Sequence, residues 1–262
     1  MKYLLTLPAI MMRGLLALVL ASVLVPSFGS AADRDRVETF LEITGFDVAL
    51  DSIALSAGSA PDMLGLEPGD FEEAWVRLSR QVFDTDVMRD LALQILEQTL
   101  DEQALAHASS FYASALGQRL VAAENSAHMI EEDGVVQDAG RRIISGLVRD
   151  GAERLAILKR MGSAIDASDT GIKAVQQIQL RFLIAARDAG VIELELGVDG
   201  LRALLKEQEG DLRLAMQASS LAGSAYTYQA FSDQDLLEYV VALEHPLMQN
   251  VYELLNAVQY EI

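Results

Sequence analysis

Between Pro68 and Pro246 the chain contains no proline, so nothing in its covalent structure forces a helix to stop there. Apolar residues in that stretch recur at three- and four-residue steps. Ile144, Leu147, Val148, Gly151, Leu155 and Leu158 form one series, and Ile172, Val175, Ile178 and Phe182 a second. Leu201, Leu204, Leu205, Leu212 and Met216 form a third, followed by Leu247, Val251, Leu254, Leu255 and Val258. Each series lays one apolar face along a helix of period 3.6. Start signals precede Phe71 (Pro68-Gly69-Asp70), the segment through Leu96 (Asp84, Asp86), and the segment after Ser232, where Asp235 completes a capping-box pattern. Gly45, Gly190 and Gly200 read as stops or turns. Only Ile192 to Leu196 alternates with period two, and one such segment without a partner reads as a connection. The predicted class is all-α, a multi-helix bundle.

The first residues carry a different message. Lys2 and Arg13 precede a 12-residue apolar run from Gly14 to Val25, Pro26 breaks it, and Ser27, Gly29, Ser30, Ala31 and Ala32 follow. A membrane span takes roughly 20 apolar residues, whereas a basic start, a short apolar core and a small-residue end describe a cleavable secretory signal. Residues 1–32 are therefore expected to be a signal peptide and 33–262 a single helical domain, with a periplasmic location. An uncleaved signal would be the one route to a membrane. Cleavage removes Lys2 and Arg13 and no acid, taking the formal net charge from −19 to −21. An excess of 39 acids over 20 bases argues against nucleic acid, whose binders need a basic face. The absence of cysteine excludes disulfides, thiolate metal sites and a cysteine nucleophile.

A weak internal echo runs at an offset of 131. Asp101-Glu102-Gln103-Ala104-Leu105 aligns with Ser232-Asp233-Gln234-Asp235-Leu236, and Leu116, Gln118 and Leu120 fall on Leu247, Gln249 and Val251. Two related helical halves, 33–150 and 151–262, are one reading; chance similarity of two amphipathic segments is the other. The segment Phe111-Tyr112-Ala113-Ser114-Ala115-Leu116-Gly117-Gln118-Arg119-Leu120 resembles the FYxSxxGxxL signature of a bacterial exported family catalogued as domain of unknown function 2059. That resemblance implies an exported all-helical protein with no established activity. The C-terminal echo departs from the signature, with Met248 in the place of the glycine.

The signature is explained by packing. Phe111 and Tyr112 are bulky residues following the Leu105/Ala108 face, Ser114 suits the cap of a helix beginning near Ala115, and Gly117 admits a close backbone. A second aromatic group, Tyr226, Tyr228, Phe231, Tyr239, Tyr252 and Tyr260, concentrates near the C-terminus. It reads either as a packed corner with phenols reaching solvent or as the lining of a groove. Phe111, Tyr112, Ser114, Gly117, Tyr226, Tyr228 and Tyr239 are accordingly the candidate ligand- or partner-binding residues.

Catalytic signals are sparse. The chain has three histidines, His107, His128 and His245. Glu124, His128, Glu131 and Glu132 have the spacing of one helix face and the ligand types for a divalent ion, although Asp133-Gly134 is a natural place for that helix to break. Asp166 to Gly171 lacks the alternating ligands and distal Glu of a calcium-binding hand and reads as a loop before a cap. No nucleophile elbow, phosphate loop, dinucleotide fingerprint or HExxH occurs. No catalytic residue, metal or cofactor is assigned. The expected function is a non-enzymatic periplasmic binding module for an envelope protein or a hydrophobic small molecule. The alternative is a hydrolytic or metal-dependent enzyme using His128 with neighbouring carboxylates.

Overall fold

The computed structural model describes residues 33–58, 83–130, 133–165 and 197–261, with the isolated positions Ile172, Gln176, Leu180, Ile184 and Arg187. The expected signal peptide, the start before Phe71, the Asp166 loop and the Ile192 to Leu196 segment lie outside the described residues. Among the described residues there are eleven packed helices and no strand, as the apolar periodicity predicts. They are α1 (Arg34–Thr44), α2 (Phe46–Gly58), α3 (Thr85–Thr99), α4 (Glu102–Tyr112), α5 (Ala115–His128), α6 (Asp133–Asp150), α7 (Arg154–Ile165), α8 (Val198–Glu207), α9 (Glu209–Thr227), α10 (Asp233–Leu243) and α11 (Pro246–Glu261).

Short polar side chains set the starts. Asp33, Asp84 and Asp101 each accept a backbone N–H in the first turn of α1, α3 and α4, satisfying donors that have no partner within the helix. Ser232 and Asp235 form a reciprocal capping box at α10. Gly45 ends α1 at φ 72°, where its N–H bonds back to Glu42 and Leu41. Gly200, by contrast, lies inside α8 and stops nothing.

Two of the apolar series break where periodicity alone would continue them. Gly151 adopts φ 61° and separates α6 from α7, so Ile144 to Leu158 is not one face; Val148 is 61% exposed while Leu158 is buried. Likewise α8 gives way to α9 at Gln208, leaving Leu201 buried and Leu204 41% exposed. Neither break needs proline. A single residue in the left-handed region, or a capped turn, redirects the axis at little energetic cost.

One core unites most of the chain. Phe40, Leu41, Leu93, Leu96, Leu105, Leu120, Leu158, Leu236 and Val240 are essentially without exposed surface. The echo at offset 131 extends to helix boundaries. Asp101 and Ser232 both cap helices, α4 and α10 end at the equivalent positions Tyr112 and Leu243, and α5 and α11 begin at the equivalent positions Ala115 and Pro246. Packing is echoed too: α1 lies on α4 as α7 lies on α10, and α1 meets α3 as α7 meets α9. The helices α6 and α9 cross closely at Gly140, where a Cβ would fall 2.0 Å from the carbonyl oxygen of Ala222. No helix among the described residues is long and apolar enough to cross a membrane.

Candidate functional site

The signature segment is a helix corner. Its Tyr112 closes α4, Ser114 caps α5 by accepting the N–H of Gly117 at 3.0 Å, and Leu116 and Leu120 continue the buried face. Gly117 permits a close approach, but the backbone it admits is its own preceding turn. A Cβ there would lie 2.3 Å from the Phe111 carbonyl oxygen and 2.7 Å from Tyr112 Cα. Phe111 is partly buried, edge-on to Tyr112 and parallel to Tyr239 at a centroid separation of 5.7 Å.

Behind this corner four phenols converge on one carboxylate. Tyr228 Oη donates to Glu124 Oε1 at 2.6 Å and Tyr239 Oη donates to the same oxygen at 3.1 Å. Tyr252 Oη lies 3.3 Å from Tyr239 Oη, and the hydroxyls of Tyr112 and Tyr252 share a short hydrogen bond. A phenol has one proton to give. With that of Tyr239 committed to Glu124, its oxygen must accept from the Tyr112/Tyr252 pair, so the proton chain runs from the pair through Tyr239 to the carboxylate. Tyr112, Tyr228 and Tyr239 are buried and Tyr252 partly so. The cluster draws together α4, α5, α10, α11 and the turn after α9.

The electrostatics follow from that enclosure. Desolvation raises the pKa of Glu124, against the opposing pull of the Tyr228 and Tyr239 hydrogen bonds and of His128. Burial, followed by the charge of Glu124, pushes Tyr228 and Tyr239 well above the ordinary phenol value and takes Tyr252 to about 12. Burial lifts Tyr112 as well, reinforced by Tyr252 and Glu124. The neutral phenols and their shared acceptor form a closed network in which every described hydroxyl has a partner.

A second device holds the Tyr228 turn. Arg154 Nη2 donates to the carbonyls of Tyr228 and Phe231 at 2.7 and 2.8 Å, while Nη1 pairs with Asp233. Arg119 sits 5.0 Å from the Phe231 ring centroid and bonds Asp235 at 3.2 Å. Arg154 thereby holds two carbonyls of the turn that lie beyond the end of α9.

The sequence-predicted residues thus divide. Tyr112, Tyr228, Tyr239 and the ring of Phe111 meet in the cluster, with Ser114 and Gly117 shaping the corner beneath them. Tyr226 does not join; it is half-exposed, and its carbonyl accepts from Gln229. Of the C-terminal group, the phenols of Tyr228, Tyr239 and Tyr252 turn inward to the Glu124 network instead of reaching solvent. The proposed ligand face of Glu124, His128, Glu131 and Glu132 is not one described helix face, because α5 ends at His128, and Glu131 and Glu132 lie outside the described residues. Among the described residues no three His, Asp or Glu side chains form a metal-ligating group. His128 is exposed. His107 and His245 stack at a centroid separation of 4.0 Å, and His245 Nδ1 accepts the N–H of Leu247 to cap α11.

Glu124 as an internal acceptor, and Tyr252 as its partner, were not singled out from sequence for this role. The signal was present: Glu124 follows Leu116 and Leu120 at four-residue steps, which places an acid on a buried face.

Residues 86–145 match the model of a family described as an uncharacterized protein conserved in bacteria, DUF2059. The matched segment contains the Phe111 to Gly117 corner and Glu124, in keeping with the resemblance read from the signature. It stops short of Tyr228, Tyr239 and Tyr252. No curated protein and no solved structure matches the chain.

Proposed function

We propose that this chain, whose residues 86–145 match an uncharacterised bacterial family, is a non-enzymatic binding module of the cell envelope, working in the periplasm once residues 1–32 are removed. Its partner is an envelope protein or a hydrophobic small molecule. What supports the reading is a division of labour between inside and outside. Three of the aromatic residues that sequence put forward for binding, Tyr112, Tyr228 and Tyr239, are committed inward, where Glu124, Tyr252 and one another satisfy their hydroxyls. The outward face of α6 carries what an internal role does not use: Val135 at 50% and Val148 at 61% exposure, with Arg141, Arg142 and Arg149 beside them. This mixture of exposed apolar and basic side chains on one helix is the surface taken here as the binding face.

Hydrolytic chemistry through His128 has less support. Glu124, the candidate carboxylate four residues before it on α5, already accepts from two phenols, and an acceptor so occupied is a poor general base.

A photo-crosslinking side chain at Val148, introduced into the full chain expressed in its bacterial host, tests the reading. One discrete periplasmic product that is absent when the probe sits at Gln229 is the expected result. No product, or a ladder indistinguishable from that at Gln229, overturns it. Mass spectrometry of the purified N-terminus tests export separately: a start near Ala32 or Asp33 is expected, and an intact Met1 overturns it.

A further inference from the structure

We propose that His107 and His245 form an acid-released latch on α11. In their neutral forms they hold the first turn of α11 against α4, and protonation sets that turn free. The rings stack at a centroid separation of 4.0 Å with 23° between their planes. His107 is partly buried on α4, whereas His245 is exposed, so the medium supplies its proton directly. Its Nδ1 accepts the N–H of Leu247 at 3.2 Å, and the neutral ring therefore carries its hydrogen on Nε2.

Protonation undoes three favourable relations. A protonated Nδ1 is a donor and no longer accepts from Leu247, which leaves a first-turn N–H without its cap. A cation then sits at the N-terminus of α11, the end where the helix dipole opposes it. Charge on both rings, finally, sets two cations face to face at the stacking distance. The turn so released matters to the interior: Met248 and Val251 are buried in the core, and Tyr252 belongs to the phenol cluster.

A cap by itself does not call for an imidazole. At the offset of 131 His245 falls on Ser114, which caps α5 with a hydroxyl that accepts the N–H of Gly117. What the imidazole adds at the second corner is a change of charge between about pH 5 and 8.

The carboxylates of the surrounding helices are engaged elsewhere or open to solvent. Glu102 of α4 pairs with Arg36 of α1, and Glu244, next to His245, pairs with Arg160 of α7. Asp90 and Glu97 of α3 share Arg34, and Asp235 of α10 pairs with Arg119 of α5. Glu238 and Glu253 are exposed. Desolvation, then the charge of His245, lowers the pKa of His107 from the ordinary 6.5. Its stability is therefore present above that value and lost as pH falls through the folded one. Glu124 has the opposite sign, because the fold raises its pKa, and so it cannot imitate the latch.

Amide hydrogen exchange at Leu247 and Val251 in the whole protein, corrected for the intrinsic rate at each pH, tests the proposal. Protection is expected to fall at least fivefold between about pH 7.5 and 5 in the wild type. It should not change in His245→Ser, which keeps an acceptor of the kind Ser114 supplies but takes up no proton. Equal protection of the wild type at both pH values, or the same loss in His245→Ser, overturns it. The histidine ring protons give a second reading that needs no variant. They should shift over the pH range in which Leu247 loses protection, and titration of both rings while Leu247 stays protected overturns the latch.

Discussion

Tyr228 Oη donates to Glu124 Oε1 at 2.6 Å, joining the turn after α9 to the middle of α5 across 104 residues of sequence. Tyr239 brings α10 to the same oxygen. Glu124 is thus the shared acceptor for segments that the chain reaches far apart in synthesis. Glu124→Ala leaves two donors without an acceptor and is expected to cost about 2–4 kcal/mol, read by urea denaturation. Glu124→Gln keeps an acceptor and should cost less.

The same pair has a pH signature. Desolvation lifts Glu124 above its ordinary 4.5, so the folded state holds the proton more tightly than the unfolded state. Its contribution is fully present below the unfolded pKa and is lost as pH rises through the folded value. Stability curves of the wild type and Glu124→Gln should therefore converge in slope above that window and differ within it. Parallel curves from pH 4 upward would contradict the assignment.

At the alkaline end the phenols take over. Tyr112, Tyr228 and Tyr239 lie well above the usual value of 10, and Tyr252 is pushed to about 12. Stability from these groups is complete below pH 10 and falls as pH climbs towards 12. Tyrosinate absorbance from the cluster should appear only above pH 10, together with loss of helical circular dichroism. One smooth titration centred on pH 10 would place the hydroxyls in solvent.

Two glycines should respond in opposite directions. Gly117→Ala drives a methyl group into the Phe111 carbonyl and is expected to lose about 1–3 kcal/mol. Gly223, inside α9, has nothing within 4 Å of a built Cβ. Gly223→Ala should gain about 0.5–1 kcal/mol through the greater helix preference of alanine. Thermal melts of the two variants decide the comparison.

Phe111 is packed on one face by Tyr239 and is otherwise partly open. A fully buried phenylalanine costs about 3–5 kcal/mol on truncation, and Phe111→Ala should fall below that range, near 2–3. An unchanged melting temperature would mean that the stacking contributes nothing.

Helix class, caps and the signature corner were legible in the sequence because each rests on local chemistry. Asp84, Asp101, Ser114 and Ser232 announce starts through side chains that reach their own first turns. The ends of α6 and α8 were not legible. Gly151 and Gln208 turn the chain by backbone conformation within an unbroken apolar rhythm, and rhythm alone cannot report a change of axis. The aromatic residues were legible as a group, but their convergence was not. Which way Tyr228 and Tyr239 point depends on where Glu124 arrives from α5, a tertiary fact that no spacing within either segment encodes. Tyr226 sits two residues from Tyr228 and lies outside the cluster, since neighbours at that spacing face different ways on a helix.

At Gly140 the backbone of α6 rests directly on that of α9, with no side chain between them. Two rods seated so closely can neither roll nor slip past each other without lifting apart. Any side chain at position 140 would have to part the two helices, so their spacing at this crossing is set by backbone against backbone.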